Sequence, residues 1–268
     1  MRGAQGVAGS GTHRYGVDTL VSRMTQKDLF MSLSTQLRAD HDLLVRHAFY
    51  PLVATSALAC ALFVVRALLT GTMGFRFMNW NLILAWLPYL CALLIARIHK
   101  RRPGRWVRLL PLGVVWLLFF PNAPYIMTDF VHLIRAGGAP WWYDLGLIAA
   151  YAWAGCFLAV ASLWAMHDLV RDYCGAIGGW LFALTVVGLA GIGIYLGRFA
   201  RINSWDIFTS PRLVARHLRD ALTEPHALGA SALFAALLLM FYLFFNVRRT
   251  SILPRHAVRH SCDFISHG

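Results

Sequence analysis

Six stretches of the chain stay apolar for long enough to cross a bilayer, whose hydrocarbon core of about 30 Å takes roughly 20 helical residues. They run over residues 49–69, 80–98, 107–127, 143–166, 177–199 and 228–246. The pattern predicts an all-α fold, a polytopic transmembrane helix bundle of about six spans with short loops. Between spans five and six the pattern changes. From Ser210 to Leu222, Leu213, Val214, Leu218, Ala221 and Leu222 share one helical side, and Arg212, Arg216, Arg219 and Asp220 share the other. This predicts a short amphipathic helix with Ser210 as N-cap and Pro211 as first helical residue. Such a helix lies in the headgroup layer or closes over a pocket. Residues 1–48 lack apolar periodicity and are read as a disordered or interfacial cytoplasmic tail. The bundle fills 49–246, and 247–268 forms a basic cytoplasmic tail. The start is expected at Met1, or at Met24 or Met31, which each precede a shorter tail.

The third span is irregular. Pro121 and Pro124 must interrupt a helix that begins near Val107. Pro124 is suited to open a second half-helix, on which Tyr125, Thr128, Asp129 and His132 form a polar stripe at spacings of three and four. Broken helices are tolerated at membrane depth where they line a cavity or are buried in protein. A kinked end emerging into water is the other reading.

Composition strengthens the membrane assignment. The 268 residues are 58% hydrophobic and only 14% charged, against about 25% charged in soluble domains. The net charge of +13 then belongs to membrane surfaces, and no nucleic-acid partner is expected. Trp80, Trp106, Trp141, Trp142, Tyr143 and Trp180 stand at span ends, as an interfacial aromatic belt does. With an even number of spans the termini share a side. That side gathers Arg38, Arg46, Lys100, Arg101, Arg102, Arg105, Arg171, Arg248, Arg249, Arg255 and Arg259, so it is expected to be cytoplasmic. The opposite side holds Arg76, Arg135 and an arginine-rich loop of Arg198, Arg201, Arg212, Arg216 and Arg219. Cys60, Cys91, Cys156, Cys174 and Cys262 are isolated, without the spacing of a zinc ribbon or disulfide framework.

Ionisable residues at a membrane edge are costly and tend to be functional. Three acids fall at the outer ends of successive spans: Asp129 on the Pro-broken helix, Asp144 after Trp141, Trp142 and Tyr143, and Asp206 at the end of the Gly197–Asp206 segment. The candidate polar site therefore comprises Asn122, Tyr125, Thr128, Asp129, His132, Tyr143, Asp144, Arg198, Arg201, Asn203, Ser204 and Asp206. Arg198 and Arg201 need acidic partners, with Asp144 expected to be one. Asn203 or Ser204 can instead cap a short helix through Trp205, with Asp206 closing the cap. Gly193 and Gly197 are spaced for close backbone approach. On the other face, His167, Asp168, Arg171 and Asp172 read as local ion pairs on a solvated helix end.

Taken together, PNAPY (121–125) with the following TDFVHL, the Trp-Tyr-Asp of 142–144, and the stretch from Gly197-Arg198-Phe199 through Asn203-Ser204-Trp205-Asp206 resemble the bacterial membrane family catalogued as domain of unknown function 1361. The similarity covers about residues 60–246. It implies a bacterial multi-pass inner-membrane protein with no established activity, and no catalytic residues to carry over. The side chains leave three readings open. Arg198, Arg201 and the amphipathic helix can hold anionic lipid headgroups, a small polar or anionic ligand or a partner at the extracytoplasmic edge, with the acidic residues only tying the bundle together. Asp129 and His132, three residues apart, can begin the metal site of a membrane hydrolase or transferase. The broken third helix can form the site of a transporter or permease. The lipid bilayer is the expected partner, and no motif names a cofactor.

Overall fold

A computed structural model describes residues 31, 34–101, 106–135 and 138–252. Arg102, Arg105, Arg255, Arg259 and Cys262 lie outside the described residues, as do the side chains of Trp106, Arg135, Arg248 and Arg249. The described residues are almost wholly helical and include no strand.

The chain divides into a short unit ending at Arg46 and a second unit that begins at His47. In the first, residues 34–46 form helix α1, which departs from the disordered alternative for the tail. Gln36, Leu37, Arg38, Ala39, Leu43 and Leu44 are strong helix formers with no Gly or Pro among them, which accounts for the helix.

The second unit opens with α2 (Phe49–Thr70), closed by Gly71 in the left-handed region at φ 65°, its N–H donating to the Ala67 carbonyl. Then follow α3 (Arg76–Arg101), a 3₁₀ turn (Trp106–Leu109), α4 (Leu110–Phe119), the single turn α5 (Asn122–Tyr125) and a second 3₁₀ helix (Ile126–Arg135). The remaining elements are α6 (Trp141–Arg198), α7 (Asp206–Thr209), α8 (Pro211–Thr223) and α9 (Pro225–Ile252).

Five stretches are long and apolar enough to cross a membrane, one of them the 58-residue α6. Run straight, α6 would reach about 87 Å, nearly three hydrocarbon thicknesses. It does not run straight. Gly175 sits at φ 74°, ψ −179°, outside helical space, in a conformation that a side chain disfavours. The Trp116 indole N–H donates to Ser162 at 2.7 Å, and its ring stacks on Phe182 at 5.8 Å. Those two partners would be about 30 Å apart in a straight helix. The His167 and Trp180 rings likewise meet at 5.0 Å. α6 therefore folds back at Gly175 into two arms, the expected fourth and fifth spans. The third crossing ends at Leu133, six residues beyond the expected 127, and α9 continues to Ile252, past the expected 246.

The first arm of α6 forms the core, with Leu147, Ile148, Tyr151, Leu158 and Leu163 all fully buried. Outward-facing positions are equally apolar: Leu68 is 80% exposed, Leu69 75% and Ile177 78%. Water would penalise so much apolar surface, whereas lipid tails accept it. The unit is a polytopic membrane bundle.

The two arms of α6 clasp the Pro-broken segment. A Cβ at Gly155 on the first arm would lie 2.5 Å from the Ala123 carbonyl oxygen. On the second arm, a Cβ at Gly193 would lie 2.6 Å from Pro121 Cγ, and one at Gly197 3.2 Å from Tyr125. The glycine pair spaced by four thus receives two residues also spaced by four, seating the break instead of a continuous helix. The 3₁₀ segment that follows is narrower than an α-helix, and its ten residues far exceed the usual run of three or four.

Candidate functional site

The break leaves the last carbonyls of α4 without their usual i+4 partners, and two of the predicted site residues bond to them. The Ser204 hydroxyl donates to the Leu118 carbonyl at 2.9 Å. The Asn122 amide donates to the Phe119 carbonyl at 3.0 Å and to the Ser204 oxygen at 3.0 Å. Asn122 and Ser204 therefore staple the loop after α6 onto the end of α4. This is how a broken helix survives where water is scarce.

Beyond the break, three residues per turn place i and i+3 in one row. Ile126, Asp129 and His132 share that row. Thr128, expected on the polar stripe, falls on another, and its hydroxyl donates to the Tyr125 carbonyl at 2.7 Å. Arg198, rooted at the end of α6, reaches the row. Its Nη1 lies 3.4 Å from Asp129 Oδ1, 3.4 Å from His132 Nε2 and 3.5 Å from the Tyr125 hydroxyl. Asp129 is buried, and its other oxygen accepts from the Asn81 amide at 3.1 Å. The His132 ring packs on Phe77, centroids 4.7 Å apart.

Asp144 does not join this group. The structure corrects its expected pairing with Arg198 or Arg201: its partner is Arg66 of α2, with Nε 2.6 Å from Oδ1 and Nη2 3.4 Å from Oδ2. Both side chains are shielded, at 3% and 0% exposure. Arg66 also donates to the Thr72 hydroxyl at 3.2 Å and stands over the Phe75 ring at 4.6 Å. Nearby, the Tyr143 hydroxyl donates to the Leu62 carbonyl at 2.9 Å, tying α6 to α2. Asp206 takes the local role foreseen for it, accepting from the Asn203 backbone N–H at 2.7 Å and from the Thr209 hydroxyl at 3.3 Å. Ser210 begins α8 ahead of Pro211 but makes no side-chain cap bond. On the opposite face, Arg171 and Asp168 pair at 3.7 Å. His167, expected on a solvated end, is instead buried and hydrogen-bonded to Tyr242.

The predicted residues thus resolve into separate groups, and two unforeseen residues, Arg66 and Asn81, complete the buried ones. Arg66 carried a signal of its own as the one charge inside the first apolar run. Asn81 carried none, because an amide at a helix start ordinarily faces water.

Arg201 differs from every other candidate. It occupies the left-handed region at φ 54°, costing roughly 1–2 kcal/mol for a residue with a Cβ. Its guanidinium makes no hydrogen bond or ion pair with a described residue. It lines a cavity of about 690 Å³ together with Tyr125, Val131, His132, Gly197, Arg198 and Asn203. No carboxylate is on that wall. A second cavity of about 430 Å³ adjoins the first, sharing Tyr125, Gly197 and Asn203. No three His, Cys, Asp or Glu side chains come together as metal ligands among the described residues.

The fold and this site define a multi-pass helical membrane protein with a basic cavity beside a Pro-broken span. Residues 80–241 match the family model described as protein of unknown function, DUF1361, and the chain belongs to that family. The match begins at α3 and leaves α2, with Arg66, outside it. No curated protein and no solved structure matches the chain.

Proposed function

We propose that the cavity beside Arg198 and Arg201 binds an anionic group at the extracytoplasmic edge of the bacterial inner membrane, with both termini of the protein cytoplasmic. One observation carries the reading: the wall holds two guanidiniums and an imidazole, of which Arg198 at 3.4 Å and His132 at 3.9 Å share the one Asp129 carboxylate, while Arg201 pairs with no described carboxylate. Arginine offers a planar fork of donors matched to phosphate and carboxylate. Arg198, with its side chain only 17% exposed, would hold an anion more strongly than in water, and the exposed Arg201 leaves the site open to one. The strained backbone at Arg201 is supported by no side-chain bond to a described residue, which accords with a role toward a ligand. The metal reading draws less support, because the Arg198 guanidinium stands 3.4 Å from both Asp129 Oδ1 and His132 Nε2, the atoms that a cation would need.

The test is thermal unfolding of the full chain in neutral detergent, titrated with inorganic phosphate and, separately, with dodecyl phosphate. Sodium chloride at matched ionic strength is the control. At least one phosphate probe should stabilise saturably, by about 2.7 kcal/mol at a hundredfold excess over Kd. Arg201→Gln should lose that gain, and Arg216→Gln on α8 should keep it. Stabilisation by neither probe, or undiminished stabilisation of Arg201→Gln, refutes the reading.

A further inference from the structure

The smaller cavity differs in chemistry from its neighbour. Leu84, Val114, Leu117, Leu189, Ile207 and Val214 are among the residues that make its wall apolar. Three of its polar members are already committed. Asn81 donates to Asp129, Asn122 to Phe119 and Ser204, and Ser204 to Leu118. A sugar or peptide would find few polar groups there to replace its lost water. A hydrocarbon chain would need none. The volume of about 430 Å³ lies within the range of ligand-binding cavities.

The residues shared by the two cavities fix how one molecule could occupy both. Tyr125 lines each of them, and its hydroxyl meets Arg198. An aromatic ring with an apolar body and a polar tip suits a boundary between hydrocarbon and water. Gly197 keeps that boundary close, since a Cβ there would crowd the Tyr125 ring. Asn203 stands on the same wall, its backbone held by Asp206.

We infer that the occupant is an amphiphile: an alkyl or prenyl chain in the apolar cavity, bearing a phosphate-type anion that Arg201 and Arg198 hold in the basic one. This rests on the anion-binding reading above and names its ligand class. No bond is made or broken. A membrane lipid and a free phosphate share the same head chemistry, and the chain tells them apart.

The experiment uses the full chain in neutral detergent with a dodecyl phosphate carrying a diazirine at the chain terminus. Adducts are mapped by mass spectrometry after illumination. They should fall on Leu84, Leu117, Leu189 or Ile207. Unlabelled dodecyl phosphate should suppress them at least tenfold at saturation, and equimolar inorganic phosphate should suppress them less than twofold. Arg201→Gln should cut the yield at least fivefold. Leu189→Trp, or Ile207→Trp if the first fails to fold, should do the same while sparing any stabilisation by inorganic phosphate. Adducts scattered over outward Leu68, Leu69 and Ile83, with phosphate stabilisation still dependent on Arg201, would overturn the amphiphile and leave the anion site standing. Suppression by inorganic phosphate equal to that by dodecyl phosphate would also overturn it, assigning the site to free phosphate. Loss of all Arg201 dependence would remove both.

Discussion

Replacing Asp144 by Asn isolates the Arg66 guanidinium. In the native bundle that cation holds the carboxylate at 2.6 and 3.4 Å, and the Thr72 hydroxyl and the Phe75 ring are among its other contacts. Without the carboxylate, a charge only 3% exposed is left without its counter-ion. Breaking a buried pair by removing one member costs about 3–5 kcal/mol. A second loss adds to it, because Asp144 stands in the first turn of α6, where a negative charge contributes roughly 0.3–1 kcal/mol through the helix dipole. Removing both charges as Arg66→Met with Asp144→Asn abolishes the unmatched cation but not the dipole deficit. The double variant should therefore fall only about 1 kcal/mol below wild type. The measurement is reversible unfolding in mixed micelles for both singles and the double, giving a coupling energy of at least about 2 kcal/mol. Pairing Asp144→Asn with Arg201→Gln should give simple additivity. The reasoning fails if Asp144→Asn costs under about 1 kcal/mol, or if the Arg66 double variant is additive.

Two further outcomes are expected. At an ordinary site Gly is less stable than Ala, but at Arg201 the left-handed backbone reverses the sign, so Arg201→Gly should exceed Arg201→Ala by about 1 kcal/mol in the same unfolding assay; equal stability, or Ala ahead, would show that the backbone there is unstrained. For topology, reporter fusions after Arg102 and Ala176 should read cytoplasmic and fusions after Ala139 and Glu224 extracytoplasmic, and a cytoplasmic signal at Ala139 would invert the assigned orientation.

Helix existence was legible because crossing a bilayer demands about 20 apolar residues and leaves a long, unambiguous run. Even the hairpin inside α6 was readable, since the polar stretch around His167 to Gly175 separates two such runs. Spacing also predicted the bond from Asp206 back to the Asn203 N–H, because the two lie within one turn, although the N-cap of α7 is Trp205. Long-range pairing was harder to read. Arg66 and Asp144 are 78 positions apart, and nothing in the order of residues says that α2 rather than the end of α6 lies beside Asp144. The stripe failed at Thr128 for another reason. An α-helical period was assumed, and the clasp of Gly155, Gly193 and Gly197 around the break accompanies a threefold winding instead. Arg201 was named as a candidate for its charge alone, while its backbone strain had no counterpart in composition.

The 3₁₀ winding also determines how far the third crossing reaches. Between Leu110 and Tyr125 the chain advances about 1.5 Å per residue, and beyond Ile126 about 2.0 Å. Asp129 is then at most about 32 Å from Leu110 along the axis, against a hydrocarbon core of about 30 Å. With Leu110 at one boundary, the carboxylate reaches the other only where the segment runs upright, and His132 lies a further 6 Å or so along it. The hydration of the Arg198 group thereby becomes a function of bilayer thickness. A core thicker by about 3 Å, within the range found among natural membranes, would carry Asp129 below the water line. A thinner one would leave the whole row of ionisable residues standing in the headgroups.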